Sequence, residues 1–327
     1  MPGAQERVLR RRIGSVQNTK KITRAMELIA ATRVAKAQTA ATEARPYAEQ
    51  ITEVIADLAA GGTEVSHPLL VQPTELKKVG VVVICSDRGL AGAYNSAVIR
   101  AAEREVMAAR SEGLDYSLVT VGKKAEAYFR FRNYELAATF EGMSDKPTYA
   151  DARRVAAAVT ELFEGDVDRI ELAYTQFVSM GTQKVTVRRF LPLDTHVDEA
   201  DDESGTPDAL FEFEPSAAAV LEALLPRYVE SRLFSAMLDA AASEHASRQR
   251  AMKSATDNAE DLILRLTRRM NQVRQDAITT EIMEIISGAE ALGADKGDPE
   301  DLLLDHLDSD PFPPLMSASQ FARTPES

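Results

Sequence analysis

The stretch from residue 227 to residue 292 constrains this chain more than any other. It follows Pro226, contains no proline, and meets its first glycine only at Gly288. Ala, Leu, Met, Arg, Glu and Gln dominate it, the residues that give up least on entering a helix. At roughly 1.5 Å per residue, a continuous helix of this length reaches about 100 Å, several times the width of a small domain. An ordinary core helix is therefore excluded, and a companion must run beside it. Ala259, Leu262, Leu266, Met270, Val273 and Ala277 recur at steps of three and four and predict a narrow seam facing one partner helix. Ile278, Ile282 and Ile285 fall on a second face, so the far end is apolar on more than one side. Residues 243–258 are almost wholly Ala and polar, with Met252 the one large apolar side chain, which predicts a wetter middle.

The companion is at the other end of the chain. Residues 6 to about 45 read as a first long helix with a stripe of Ile13, Val16, Ile22, Met26 and Ile29, and Val34 drifting to its edge. Pro46 is expected to kink or interrupt it. The pattern resumes with Ile51, Val54, Ile55 and Leu58 and stops at Gly61-Gly62. Neither terminal helix can hide its stripe alone, and pairing them antiparallel closes the chain on itself.

Between them the period changes. Residues 63–76, with Pro68 and Pro73, read as a linker. Residues 79–85 form a continuous β-branched run typical of a strand buried on both faces. Further strands are expected at 116–121, 169–177 and 184–191, with a short edge strand at 134–140. Helices are expected at 96–112, 123–132 and 148–164. The fold class is α/β plus a long antiparallel coiled coil of the N- and C-terminal helices, with a small, mostly parallel sheet and flanking helices in the central domain. The layout is a first helix over 1–60, a central Rossmann-like domain over 77–193, an acidic linker over 194–214, the last helix over 215–292 and a disordered acidic tail over 293–327. Phe211 to Phe213 is a possible edge strand. Ser216 reads as an N-cap, and Pro226 as a kink or first-turn position.

The net charge of −13 is unevenly placed. Residues 194–214 hold nine carboxylates and no Lys or Arg, and residues 295–327 are also acidic. The basic excess lies in the first 45 residues, where Arg10, Arg11, Arg12, Lys20, Lys21 and Arg24 are dense enough to suit an acidic protein partner. With Trp absent and no aromatics interleaved on that face, nucleic acid is a poor match. No apolar run is long enough to span a bilayer, and no secretory signal is expected. Cys85 is the only cysteine, so no internal disulfide can form and a reducing, cytoplasmic compartment fits.

Chemistry-bearing patterns are weak. The turn SDRGLAGAYN, residues 86–95, follows a strand but lacks either phosphate-binding fingerprint, so it reads as a structural turn. Ser86, Asp87 and Arg88 are adjacent and do not make a catalytic trio. His67, His196, His245 and His306 are scattered, so no metal site is expected. His245 reads as a solvent-facing or interface residue. No active site and no cofactor are expected.

The ends of the chain carry a specific resemblance. SVQNTKKITRAMELIAATRVAKAQ, SEHASRQRAMKSATDNA and ITTEIMEIISGAEA, with SDRGLAGAYN between, resemble in order the segments of the gamma subunit of rotary F-type ATP synthases. The resemblance covers residues 6 to about 292. It implies a central rotor stalk that does no chemistry itself: paired helices inside a ring of three alpha and three beta subunits, with an epsilon subunit and the membrane ring of c subunits bound below. It places the chain at the cytoplasmic face of the membrane, held only through the complex. By the same resemblance, Arg274 and Gln275 match positions that contact a catch loop on beta. Met26, with Lys20, Lys21 and Arg24, matches the stretch facing beta's acidic lever, and Ile278, Ile282, Ile285 and Ile286 match a bearing tip. Two departures stand out: the extension past residue 293 and the long acidic connection after residue 194. The alternatives from the residues alone are a coiled-coil scaffold carrying an unrelated α/β module, and a nucleotide-dependent enzyme.

Overall fold

The computed structural model describes residues 2–60, 67–73, 75–193 and 216–293. The acidic connection, the possible strand at Phe211 to Phe213 and the C-terminal tail lie outside the described residues. The order is α1 (Pro2–Ala60), a 3₁₀ turn (Pro68–Leu70), β1 (Lys78–Ile84), α2 (Tyr94–Ser111), β2 (Asp115–Val121), α3 (Lys123–Phe131), β3 (Ala138–Phe140), α4 (Tyr149–Gly165), β4 (Arg169–Phe177), β5 (Gln183–Leu191) and α5 (Ala217–Gly293). By contacts the chain divides into two units, residues 17–260 and residues 1–16 with 261–327.

In the larger unit a five-stranded sheet runs in the order β3-β2-β1-β4-β5. β1 pairs parallel with β2 and β4, and β2 parallel with β3, while β4 and β5 form the antiparallel hairpin. The hairpin closes on a two-residue loop in which Ser179 and Thr182 exchange backbone hydrogen bonds around Gly181. β1 is central, and its alternate residues feed two cores. Val79, Val81 and Val83 pack with Val98, Val106 and Phe129 of α2 and α3. Val82 and Ile84 face Val155 and Val159 of α4 and the row Leu225, Val229, Leu233 and Met237 of α5. A Val/Ile run broken only by Gly80 is the near-continuous pattern of a strand covered on both faces. Leu69, inside the segment expected to be a bare linker, is 1% exposed and belongs to this second core. Its carbonyl accepts from the Leu193 N–H at 2.8 Å.

Local signals fix the helix starts. Thr148 and Asp151 make a reciprocal capping box at α4. Ser216 Oγ accepts from the Ala219 N–H at 3.2 Å at the start of α5, as an N-cap does. Neither proline interrupts its helix: Pro46 lies within α1 and Pro226 within α5. Of the kink or interruption expected at Pro46, the interruption is therefore absent, and Pro226 does not mark a helix start. Both prolines are exposed, as are Thr42 and Glu222 four residues before them, so the carbonyls that lose a partner face water.

α1 and α5 run antiparallel in this unit, with Lys20 Nζ 3.1 Å from Glu260 and Thr256 Oγ1 donating to Thr23 Oγ1 at 2.8 Å. The buried stripe of α1 is not the one the large residues suggested. Ile22 and Ile29 are 61% and 53% exposed, while Ala30 and Val34 are each 1% exposed. The inward row is Thr23, Glu27, Ala30, Val34, Ala37 and Ala41, spaced at alternating four and three. Small side chains take the inward positions because they let two backbones approach closely.

In the smaller unit Leu9, Ile13 and Val16 on α1 are half-buried, as are Ile263, Leu266, Met270 and Ala277 on α5, with Val273 buried. The seam uses Ile263 in place of the expected Leu262, which stands at its edge. Every residue from Ile278 to Leu292 is exposed.

Gly122 tests the strand-to-helix turn after β2. Its φ is +102°, and an added Cβ would overlap the Cys85 carbonyl. Gly122→Ala should lower unfolding stability by about 3 kcal/mol or more. Gly14→Ala, where an added Cβ meets nothing within 4 Å, should raise it by up to about 1 kcal/mol. Urea denaturation of the two variants checks both signs.

Candidate functional site

In an open α/β sheet, ligands bind outside the carboxyl ends of the strands where strand order reverses. Here that point lies between β1 and β4. α5 occupies it with residues 240–248. Ser243 Oγ donates to the Thr175 carbonyl of β4 at 3.1 Å, and Tyr94 Oη donates to the Ala240 carbonyl at 3.1 Å. Glu244 is 1% exposed and accepts from Arg248 Nη2 at 2.6 Å. The Arg248 guanidinium also reaches the Gly89 carbonyl at 3.4 Å through Nε and Nη2.

The first part of the stretch expected to be wet, residues 243–248, is therefore largely dry, while Arg250, Lys253, Ser254, Asp257 and Asn258 beyond it are exposed. Residues 241–246 are all buried, and the polar character of the stretch answers polar groups on the loops it covers. His245 is 1% exposed, which corrects the solvent-facing expectation. Its Nε2 lies 3.0 Å from the Asp145 carbonyl, and its Nδ1 lies 3.3 Å from Arg248 Nη1. A guanidinium only donates, so Nδ1 accepts and Nε2–H donates to the carbonyl, the neutral imidazole. Burial, with Arg248 and Arg33 nearby, pulls its pKa down to about 4. Arg33 of α1 forms an ion pair with the Asp145 side chain. Burial raises the Glu244 carboxyl above its ordinary range, against the pull of Arg248. Burial and the nearby Glu244 push the Cys85 thiol up, so it stays protonated.

Asp145, Glu244 and His245 bring their ligand atoms within 4.8 Å of one another. The arrangement does not fit a metal ion. Arg33 holds Asp145 and Arg248 holds Glu244, so the carboxylate charge is already answered by guanidinium groups, and Arg248 also faces His245 Nδ1.

The turn at residues 86–95 directs its polar groups inward. Ser86 N–H donates to Asn95 Oδ1 at 3.0 Å, and Asp87 N–H donates to Ser144 Oγ at 2.9 Å. The Asp87 carboxylate accepts from the backbone of Lys123, Gly142 and Ser144 and from the Ser144 hydroxyl. Burial alone would raise its pKa, but these donors hold it below the usual range. The Ser86 and Asp87 N–H groups of the turn already have partners, and Asp87 is a structural acceptor rather than a base.

The residues singled out from the sequence are on the surface of the helices. Lys21 and Arg24 are exposed, and Lys20 and Met26 are half-buried. Lys20 pairs with Glu260, and Arg24 with Glu27 at 2.9 Å. Arg274 and Gln275 are exposed, and Ile278, Ile282, Ile285 and Ile286 are 48%, 50%, 71% and 48% exposed. The set formed by buried Glu244, His245 and Arg248 with half-buried Arg33 and Asp145 was missed. Its only sequence signal is the Glu-to-Arg spacing of four on one helix, which reads equally well as a surface pair.

Comparison with known proteins is consistent in fold and in sequence. The pattern of the ATP synthase family matches residues 5–292. The chain is similar to the ATP synthase gamma chain of Parafrankia sp., 52% identical over 89% of this chain and 98% of that one. It is also similar to that of Frankia casuarinae, 53% identical over 89% and 98%, and of Streptomyces coelicolor, 48% identical over 89% and 97%. Among solved structures it resembles a chain of the Euglena gracilis mitochondrial ATP synthase OSCP/F1/c-ring, with a TM-score of 0.63, 20% identity, and coverage of 90% and 97%. A chain of the Tetrahymena thermophila mitochondrial ATP synthase central stalk/c-ring aligns with a TM-score of 0.56, 22% identity, and coverage of 72% and 99%.

Two outcomes follow for the buried cluster. Arg248→Ala leaves the Glu244 carboxyl buried without its partner and should cost roughly 3–5 kcal/mol in urea unfolding. The folded state also refuses a proton at His245 that the unfolded chain takes up. Its contribution is whole above pH 6.5 and is lost as pH falls toward about 4, by roughly 3 kcal/mol. His245→Gln should flatten the dependence of unfolding free energy on pH across that window.

Proposed function

The chain belongs to the ATP synthase gamma-chain family, and from that premise we infer that it is the central-stalk rotor subunit of an F1Fo ATP synthase. It couples ion translocation through the membrane sector to conformational cycling of the catalytic subunits. It is a non-catalytic component: at the place where an α/β sheet would hold a ligand, α5 fills the crevice with its own side chains. No described helix is long and apolar enough to cross a membrane, so attachment runs through the assembly. The partners are three alpha and three beta subunits around the helices, and an epsilon subunit and the c-subunit ring at the α/β domain, on the cytoplasmic face.

The observation that carries the finer reading is the exposure of the last four turns of α5. Ile278, Ile282, Ile285 and Ile286 present apolar surface that nothing among the described residues covers. A large apolar surface on a protein part of an assembly marks a contact. A closed collar of partner residues suits it as a bearing. Just before it, Arg274 and Gln275 offer exposed hydrogen-bonding groups to a catch loop on beta. A guanidinium fork holds a carboxylate in two parallel bonds. On α1, Met26 with Lys20, Lys21 and Arg24 serves as the contact to beta's acidic lever. Lys20 and Arg24 each already have a carboxylate of this chain, so charge attraction there is modest and screened. Coupling works as a shift of populations. Driving a beta subunit from 1:99 to 99:1 between two conformations takes roughly 5.5 kcal/mol, more than one surface contact supplies, so several must act at each angle.

Arg274→Ala with Gln275→Ala should lower ATP synthesis by the assembled complex several-fold. The melting curve of the isolated chain should stay unchanged, because both side chains are exposed. Synthesis at the parental rate would remove these two residues from the coupling path.

A further inference from the structure

Within the larger unit α1 turns small side chains inward. Ala30 and Val34 are buried, and Ala37 and Ala41 are half-buried. Apolar contact is non-directional, so a row of alanines by itself leaves a helix free to roll or slide. Asp145 answers that freedom. It sits in the turn between β3 and α4. Its carboxylate forms an ion pair with Arg33 of α1, and its carbonyl accepts from Nε2 of His245 on α5 at 3.0 Å. The same Nε2 lies 3.7 Å from Asp145 Oδ1. The turn is anchored in its own right. The hydroxyl of Ser144 accepts from the Asp87 N–H at 2.9 Å and donates to the Asp87 carboxylate at 3.0 Å. Two long helices and the loops after β1 and β3 are therefore tied together at one residue.

We propose that Asp145, with Arg33 and His245, is a positioning brace that holds α1 and α5 at one rotational setting against the α/β domain, so that a turn of the domain passes to both helices together. This inference rests on the reading of the chain as a stalk subunit. In a rotor the domain and the helices must move as one body. Slack at their joint lets the domain turn without presenting the matching helix face to a beta subunit. α5 is keyed by its own bonds to β4 and to the turn after β1. α1 presents alanines, and Arg33 supplies a directional bond. Hydrogen bonds weaken steeply off their axis, and a planar guanidinium fork accepts few orientations against a carboxylate. The packed cores bear the load, and the brace sets the angle. A half-exposed ion pair contributes little to stability, so its loss should separate coupling from folding.

Membrane vesicles holding the assembled complex are read for ATP synthesis under an imposed ion gradient and for ATP hydrolysis. Arg33→Gln and Asp145→Asn should each lower synthesis about tenfold, since a small misplacement far from the reacting atoms is felt on at least that scale. Hydrolysis and the melting curve of the isolated chain should stay near parental values. The double variant should be no worse than either single, because the two partners of one contact do not add. Arg33→Cys/Asp145→Cys should lose synthesis likewise and regain it when a short bismaleimide joins the pair before assembly. Cys85 is buried and takes no label. On the isolated full chain, spin labels at the exposed positions Lys36→Cys on α1 and Glu161→Cys on α4 should give a broader distance distribution in Arg33→Gln than in the parental sequence. Five results overturn the proposal: parental synthesis in both single variants, synthesis and hydrolysis falling together, losses that add in the double variant, a joined pair that stays defective, or label distances of parental width. Where a variant does not assemble, the label distances decide. Failure of the unaltered chain to co-purify with alpha and beta subunits counts against the stalk reading. The torque role then falls with it, and the label distances alone decide whether Asp145 braces α1.

Discussion

Glu244 and Arg248, one turn apart on α5, are both removed from water and face each other. A buried ion pair seldom adds net stability over a well-packed apolar pair, but leaving one half behind is expensive. Its value is placement. Within little more than two turns, α5 gives a hydroxyl to β4, receives one from α2, and sets a guanidinium against the turn after β1. An apolar contact tolerates sliding. A set of directional bonds to three separate elements does not. The rest of the larger unit is built around a helix whose position and rotation are fixed at this point.

The same helix changes character along its length. From Leu221 to Met237 it is a layer over the sheet, contributing large apolar side chains to the core shared with α4. From Ser243 to Arg248 it is a polar plug. Beyond that, its inward row becomes Met252, Thr256 and Ala259 against α1. Each change in what α5 faces appears as a change in side-chain type, because helix propensity alone does not distinguish the stretches. A single helix thereby serves a globular core and a helix pair.

The element types and their order were legible because each has a distinct period: β-branched runs for the covered strands, alternating threes and fours for the helices. The antiparallel pairing of the ends followed from two stripes that had no other means of burial. The inward face of α1 was misread because it rests on alanine and threonine, whose pattern is faint beside Ile22 and Ile29, although those two face outward. The first part of the polar middle of α5, residues 243–248, was misread for a related reason. Polarity in a sequence says that a residue needs a partner, not whether that partner is water or a buried carbonyl. His245 shows this directly, since its partners are Asp145 and Arg248, a hundred residues away and three away. The exposed residues of the proposed contacts, Arg274, Gln275 and the isoleucines that follow, were legible only through resemblance. A surface side chain leaves no periodic trace of what it meets in an assembly.

The seam between α1 and α5 holds hydroxyl and charged contacts at Thr23–Thr256 and Lys20–Glu260 among its small residues. Past Ala277, α5 has no such neighbour among the described residues and depends on its own backbone bonds. A doubled strand resists twisting and bending far more than a single one. The turns past Ala277 are therefore the more compliant part of α5, since bending there deforms one helix alone.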